Sequence, residues 1–194
     1  MSAKKDIDQC IKWIERHVPE ALEDKQLFAD INKAGIVPLY ESNQTHMLLI
    51  KPWAKKKNLG PPPWQIIKGT RMIHRQGSWE DYGKSDDVND GEILEPLLCT
   101  ALREGMEEAG LRLDNISAIG LLGEHRYASL STGKEKVMHL YALLVHNKND
   151  FDWPNKAHPV TEAMKWFNIN KLPDNTREDA VAMVADLQDK LAER

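Results

Sequence analysis

The chain has 194 residues, of which 41% are hydrophobic and 29% charged, enough apolar material for a sizeable core and too much for a disordered polymer. Its 26 Lys and Arg against 30 Asp and Glu leave a net charge of −4, which argues against a general nucleic-acid coat and leaves room for a local basic patch. The two cysteines, Cys10 and Cys99, are too few for a disulfide scaffold. No leader opens the chain and no apolar stretch reaches the ~20 residues of a membrane span, so it reads as a soluble cytoplasmic protein.

Near the start, Ile7, Cys10, Ile11 and Ile14 recur at helical spacing with Lys5, Asp8, Lys12 and Glu15 between them, which predicts an amphipathic helix. Pro19 ends or redirects it, and a second helix is predicted over residues 20–32. Residues 1–34 thus read as a helical extension of a single domain spanning 1–194. Strands are predicted over 35–40 and 46–53, separated by turn-forming residues at 41–44. Lys55, Lys56 and Lys57 then precede Gly60 and three consecutive prolines, a segment that cannot join a ladder and belongs on the surface. Residues 64–69 read as a short strand ending at Gly69.

Residues 70–90 turn acidic, with Glu80, Asp81, Asp86, Asp87 and Asp90, and read as a solvated insertion loop dispensable for folding. The clearest helix is predicted over 93–109, stopped by Gly110. A hairpin of strands over 118–127 and 137–145 follows, then a last strand from Glu162. A terminal helix over 175–192 would be capped by Asn175 or Thr176.

The helix before Gly110 carries the chemistry. At 100° per residue, Glu107 and Glu108 fall roughly 60° and 40° to either side of Glu104. Leu98, Leu102, Met106 and Ala109 make an apolar stripe opposite, which fixes the rotation of the helix on a sheet. Like charges this close repel, and a helix C-terminal end disfavours anions. A bound divalent cation removes both penalties, and an oxygen-only donor set suits Mg²⁺ or Mn²⁺. The competing reading is an ordinary solvated acidic face.

The stretch from Glu95 to Leu111 resembles the signature of the Nudix hydrolases. Glu95, seven intervening residues, Arg103-Glu104, Glu107-Glu108, Gly110 and Leu111 all stand at the family's offsets. Gly105 occupies an aliphatic position of the motif, a departure that should loosen helix packing. The opening glycine is also displaced: Asn89 stands six residues before Glu95, while Lys68-Gly69 looks like the family's strand end, which implies the insertion after Gly69.

The resemblance implies an α/β/α sandwich with a mixed sheet between helices. It also implies metal-dependent hydrolysis of a pyrophosphate linkage in a nucleoside diphosphate derivative, such as a dinucleoside polyphosphate or nucleotide sugar. Glu104, Glu107 and Glu108 would hold Mg²⁺ or Mn²⁺, with Glu107, Glu108 and Arg103 in the catalytic set and Arg103 orienting Glu104 or a neighbouring carboxylate. The general base varies within the family, and Glu162 is the first candidate, ahead of Glu124 and Glu135. A 5′-triphosphate RNA pyrophosphohydrolase and a non-catalytic nucleotide-binding module are the alternatives.

Lys51, Lys55 and Lys68 are candidates to meet substrate phosphates, and Trp53 and Trp64 to stack on a base. The competing readings are a solvated edge for the lysines and core packing for the tryptophans. The expected partner is a small nucleotide, with nucleic acid not favoured, no membrane, and a homodimer left open. Neither the histidines nor the cysteines show zinc spacing, and Gly133-Lys134 lacks the rest of a phosphate-binding loop.

Overall fold

The computed structural model describes residues 3–23, 31–40, 42–53, 61–83, 88–128, 133, 135–149, 151 and 161–192. Lys55, Lys56, Lys57 and much of the expected second helix lie outside them. Three helices are described: α1 (Ala3–His17), α2 (Leu97–Ala109) and α3 (Glu178–Ala192). The strands are β1 (Lys33–Tyr40), β2 (Asn43–Pro52), β3 (Ile67–Thr70), β4 (Met72–Arg75), β5 (Ser78–Asp81), β6 (Ile93–Leu94), β7 (Ile116–Ala128), β8 (Glu135–Val145) and β9 (Thr161–Asn168).

The main sheet runs β7-β8-β1-β2-β9, with β3 paired to the first half of β1. β1 and β8 are parallel and the other pairs antiparallel. Because side chains alternate along a strand, each central strand feeds two cores. On one face Ile36, Leu48 and Ile50 pack with Ile7, Cys10 and Ile14 of α1 and Leu98 and Leu102 of α2. On the other, Val37, Leu39, Met47 and Leu49 meet Ala180, Met183, Val184 and Leu187 of α3. Full burial of each large apolar side chain contributes about 1.5–3 kcal/mol. The result is the expected sandwich of helices around a mixed sheet. None of the described helices is long and apolar enough to cross a membrane.

Several local readings are corrected. Residues 72–81 are not a solvated loop: β4 and β5 form a hairpin whose turn residues Gln76 and Gly77 both have positive φ, 48° and 84°. β6 adds to β4, and Ile73, Tyr82 and Leu94 bury one another beneath this small sheet. Glu92 and Glu80 pair with Arg75 at 2.8 and 3.6 Å, so part of the acidic character is spent on a local ion-pair network.

Helix α2 starts at Leu97 rather than 93, because the residue before Pro96 is biased away from helical backbone and Ile93–Leu94 is taken up by β6. Pro19–Leu22 form a single 3₁₀ turn, and Lys33 and Ala34 already belong to β1, so the extension ends earlier than residue 34. Helix α3 begins at Glu178. Arg177, not Asn175 or Thr176, therefore stands at its N-cap position, its carbonyl accepting from Ala180 and Val181 N–H, while Trp64 N–H donates to the Asn175 carbonyl and Arg177 N–H to that of Trp64.

Candidate active site

Helix α2 lies with its C-terminal half against β3, and the close approach comes from two glycines. A Cβ on Gly105 would stand 2.6 Å from Ile36 Cδ1 and 2.9 Å from Leu111 Cδ2. The departure from the aliphatic pattern therefore tightens the helix onto β1, the reverse of the expected loosening. A Cβ on Gly69 would fall 1.8 Å from the carboxyl carbon of Glu104. The Glu104 carboxylate occupies the space that any other residue at position 69 would fill.

Gly69→Ala should therefore displace Glu104 and lower turnover by about 10²-fold, the scale of a ~1 Å misplacement. Circular dichroism should show the fold retained. Unchanged turnover in this variant would mean that the position of Glu104 is immaterial.

Arg103 organises the carboxylates. Nε and Nη2 donate to Glu95 Oε1 and Oε2 at 2.9 and 3.2 Å. Nη1 donates to Glu104 Oε1 at 2.7 Å and Glu107 Oε2 at 3.1 Å, and Nη2 also reaches the Thr70 carbonyl at 2.8 Å. These bonds match the five N–H donors of a guanidinium. Burial works against the Arg103 charge, but Glu95, Glu104 and Glu107 overcome it and hold its pKa above the ordinary value. Glu95 is fully buried and also accepts from Met72 N–H and Thr100 Oγ1, each at 2.9 Å.

The acidic face is only partly solvated, with the Glu107 side chain 35% exposed. Glu108 is only 9% exposed, and Oε2 accepts the Lys68 backbone N–H at 3.3 Å. Burial and the charge of Glu104 push its pKa up to about 8, against the pull of Lys68. Glu104 and Glu107 are also raised, in each case first by burial, with Arg103 pulling the other way. Three acids are thus held where their ionised forms are under-compensated.

Among the described residues, no three acidic, histidine or cysteine side chains already converge on one point as a cation cage. The donor set nonetheless fits Mg²⁺ or Mn²⁺: hard carboxylate oxygens, partly desolvated, with more negative charge than Arg103 alone offsets.

The remaining candidates are dispersed. Glu162 stands on β9, in the strand expected to start there, with its side chain 35% exposed and Oε1 3.8 Å from Lys51 Nζ. Its neighbour Thr161, which sequence reasoning missed, donates from Oγ1 to the Glu108 carbonyl at 2.8 Å and fastens the start of β9 to the end of α2. Glu124 and Glu135 both pair with Arg126 on the β7–β8 hairpin, at 3.6 and 3.0 Å.

The Lys68 ammonium is paired with buried Asp179 of α3 and lies 5.1 Å from the Tyr127 ring centroid, so its charge is already engaged. Burial lowers its pKa to about 8 in spite of Asp179. Trp64 packs edge-on to Phe167 at 4.8 Å, whereas Trp53 is 45% exposed. Lys55 lies outside the described residues.

A mixed sheet between helices, with an Arg-centred carboxylate helix against a strand edge, defines an α/β sandwich. The NUDIX domain family matches residues 31–187, and the chain belongs to the Nudix family, whose members are usually pyrophosphohydrolases. α1 lies before the matched range.

Solved structures of similar fold include a Caenorhabditis elegans Ap4A hydrolase binary complex, 17% identical with a TM-score of 0.54, covering 84% of this chain and 99% of that one. A NUDIX hydrolase from Nitrosomonas europaea is 15% identical with a TM-score of 0.54, over 82% and 90% of the two chains. The NUDIX domain of Shewanella oneidensis NrtR, complexed with ADP ribose, is 15% identical with a TM-score of 0.53, over 93% and 97%. No protein of curated function matches the sequence.

Proposed function

We propose that this chain hydrolyses a pyrophosphate linkage in a nucleoside diphosphate derivative, with Glu104, Glu107 and Glu108 holding Mg²⁺ or Mn²⁺. The observation that carries the reading is the burial of Glu108 and the near-burial of Glu104, its side chain 13% exposed, against β3, with Arg103 spreading its donors over Glu95, Glu104 and Glu107. A protein that used these acids only as a surface would leave them solvated. A bound divalent ion there would neutralise phosphate charge and acidify an attacking water.

The chain's own residues do the positioning. Arg103 fixes the Glu104 and Glu107 carboxylates, Glu95 fixes Arg103, and the Lys68 N–H orients Glu108. Glu162 is the proposed general base. Thr161 anchors its backbone to α2, and Lys51 Nζ stands 3.8 Å from its carboxylate.

Glu162→Gln should lower kcat by roughly 10²–10⁴-fold with a small change in KM. Full activity in this variant, with loss in Glu124→Gln or Glu135→Gln, would move the base to the hairpin. A non-catalytic binding module is the second reading. It predicts nucleotide binding without phosphate release, and the retained carboxylate set weighs against it.

A further inference from the structure

The sheet face covered by α3 gathers cations at the end beside the carboxylate helix. Lys33 opens β1 opposite Thr70 of β3, and its Nζ donates to Thr70 Oγ1 at 3.1 Å. Lys136 of β8 is the cross-strand neighbour of Tyr127 on β7. Strand alternation puts Lys136 on the side of Met138 and Leu140, and Lys33 on that of Val37 and Leu39, all facing α3. Arg177 lies 5.7 Å from the Tyr127 ring centroid and closes the group from the start of α3.

The charges are unevenly compensated. Lys68 and Arg177 share the buried carboxylate of Asp179, Arg177 at 3.1 Å. Lys33 and Lys136 are half-buried and form no ion pair with any described residue. Burial and then the charge of Lys136 hold the Lys33 ammonium below its ordinary pKa, while Glu104 and Asp81 pull it back. Glu104 is itself bonded to Arg103, and Asp81 lies on the exposed β4–β5 hairpin. Two partly desolvated lysines that repel each other cost stability unless an anion joins them.

We propose that Lys33 and Lys136, flanked by Arg177, form a phosphate subsite that takes the part of an oligophosphate chain beyond the scissile linkage. The role rests on the pyrophosphohydrolase reading above and narrows it. Substrates with three or more phosphates fill the subsite, whereas a nucleotide sugar places an uncharged ring there. Lys51 and Lys68 are poorer candidates because each already faces a carboxylate.

The test is calorimetric titration with inorganic tripolyphosphate, paired with steady-state kinetics on a dinucleoside tetraphosphate. The proteins are the wild type, Lys33→Met/Lys136→Met and Lys33→Arg/Lys136→Arg. Tripolyphosphate should bind the wild type and the arginine variant, and the methionine variant about 10-fold or more weaker. KM should rise by a similar factor in the methionine variant while kcat holds, and its Tm without ligand should not fall. Equal binding by the wild type and the methionine variant, or none by the wild type, overturns the subsite even if hydrolysis is normal. Wild-type binding without hydrolysis of any substrate rejects the catalytic reading and leaves the anion subsite standing. Should the methionine variant not fold, loss of binding in the arginine variant overturns the proposal.

Discussion

Glu108→Gln is expected to reduce metal-dependent turnover at least ~100-fold, the scale seen when a preorganised electrostatic partner is removed. It should do so while making the metal-free protein more stable. The amide keeps the shape and can still accept the Lys68 N–H, but it no longer carries a buried negative charge beside Glu104.

The sign of the pH dependence follows from the direction of the shift. Glu108 titrates at about 8 in the folded chain against an ordinary 4.5, so the folded state holds its proton more tightly than the unfolded one. This group's contribution is therefore most favourable below 4.5 and is lost as pH rises towards 8. Metal-free wild type should lose Tm across that window, and Glu108→Gln should lose less. A variant less stable than wild type at pH 8, with turnover intact, would take Glu108 out of the site.

Arg103→Met should have the largest effect on folding. The substitution keeps a long apolar stem but strands Glu95, which is fully buried, and removes the donors to Glu104, Glu107 and the Thr70 carbonyl. Breaking a buried ion pair from one side costs about 3–5 kcal/mol, because the remaining charge is left in the interior. Urea denaturation should show a loss of that size, and Glu95→Gln added to Arg103→Met should recover part of it. Arg103→Lys should rescue poorly, since three donors on a point charge cannot replace a planar fork of five. A loss below 1 kcal/mol in Arg103→Met would show that the fan of bonds is not what holds α2 to β3.

The parts of the site legible in the sequence were those written at fixed offsets along one helix. Arg103, Glu104, Glu107 and Glu108 share a face by the helical period alone, and Gly110, at φ 66°, ends the helix where its type and place suggested. The sheet between helices was implied by the family resemblance, whereas the apolar stripes of α1 and α2 were legible from the helical period.

What escaped was set by contacts between distant segments. The hairpin at Gln76 and Gly77 lacks an Asn-Gly or Asp-Gly signal, and its acidic residues masked strands whose buried members are few. Nothing local pairs Lys68 with Asp179, which lies 111 residues away, or ties Thr161 to Glu108 across 53. Lys33 and Lys136 become neighbours only once β1 and β8 align in parallel. Gly105 reads as a flaw in a helix until Ile36 and Leu111 are placed against it.

On the proposed function, the carboxylates of α2 serve metal-dependent hydrolysis of a phosphate anhydride. Phosphate release from a mixed panel of dinucleoside polyphosphates, nucleotide sugars, nucleoside triphosphates and 5′-triphosphate RNA, with Mg²⁺ and with excess chelator, tests it most directly. The expected result is release from at least one member with Mg²⁺, absent in chelator and in Glu108→Gln. Release that persists in chelator, or that Glu108→Gln leaves unchanged, would contradict the account.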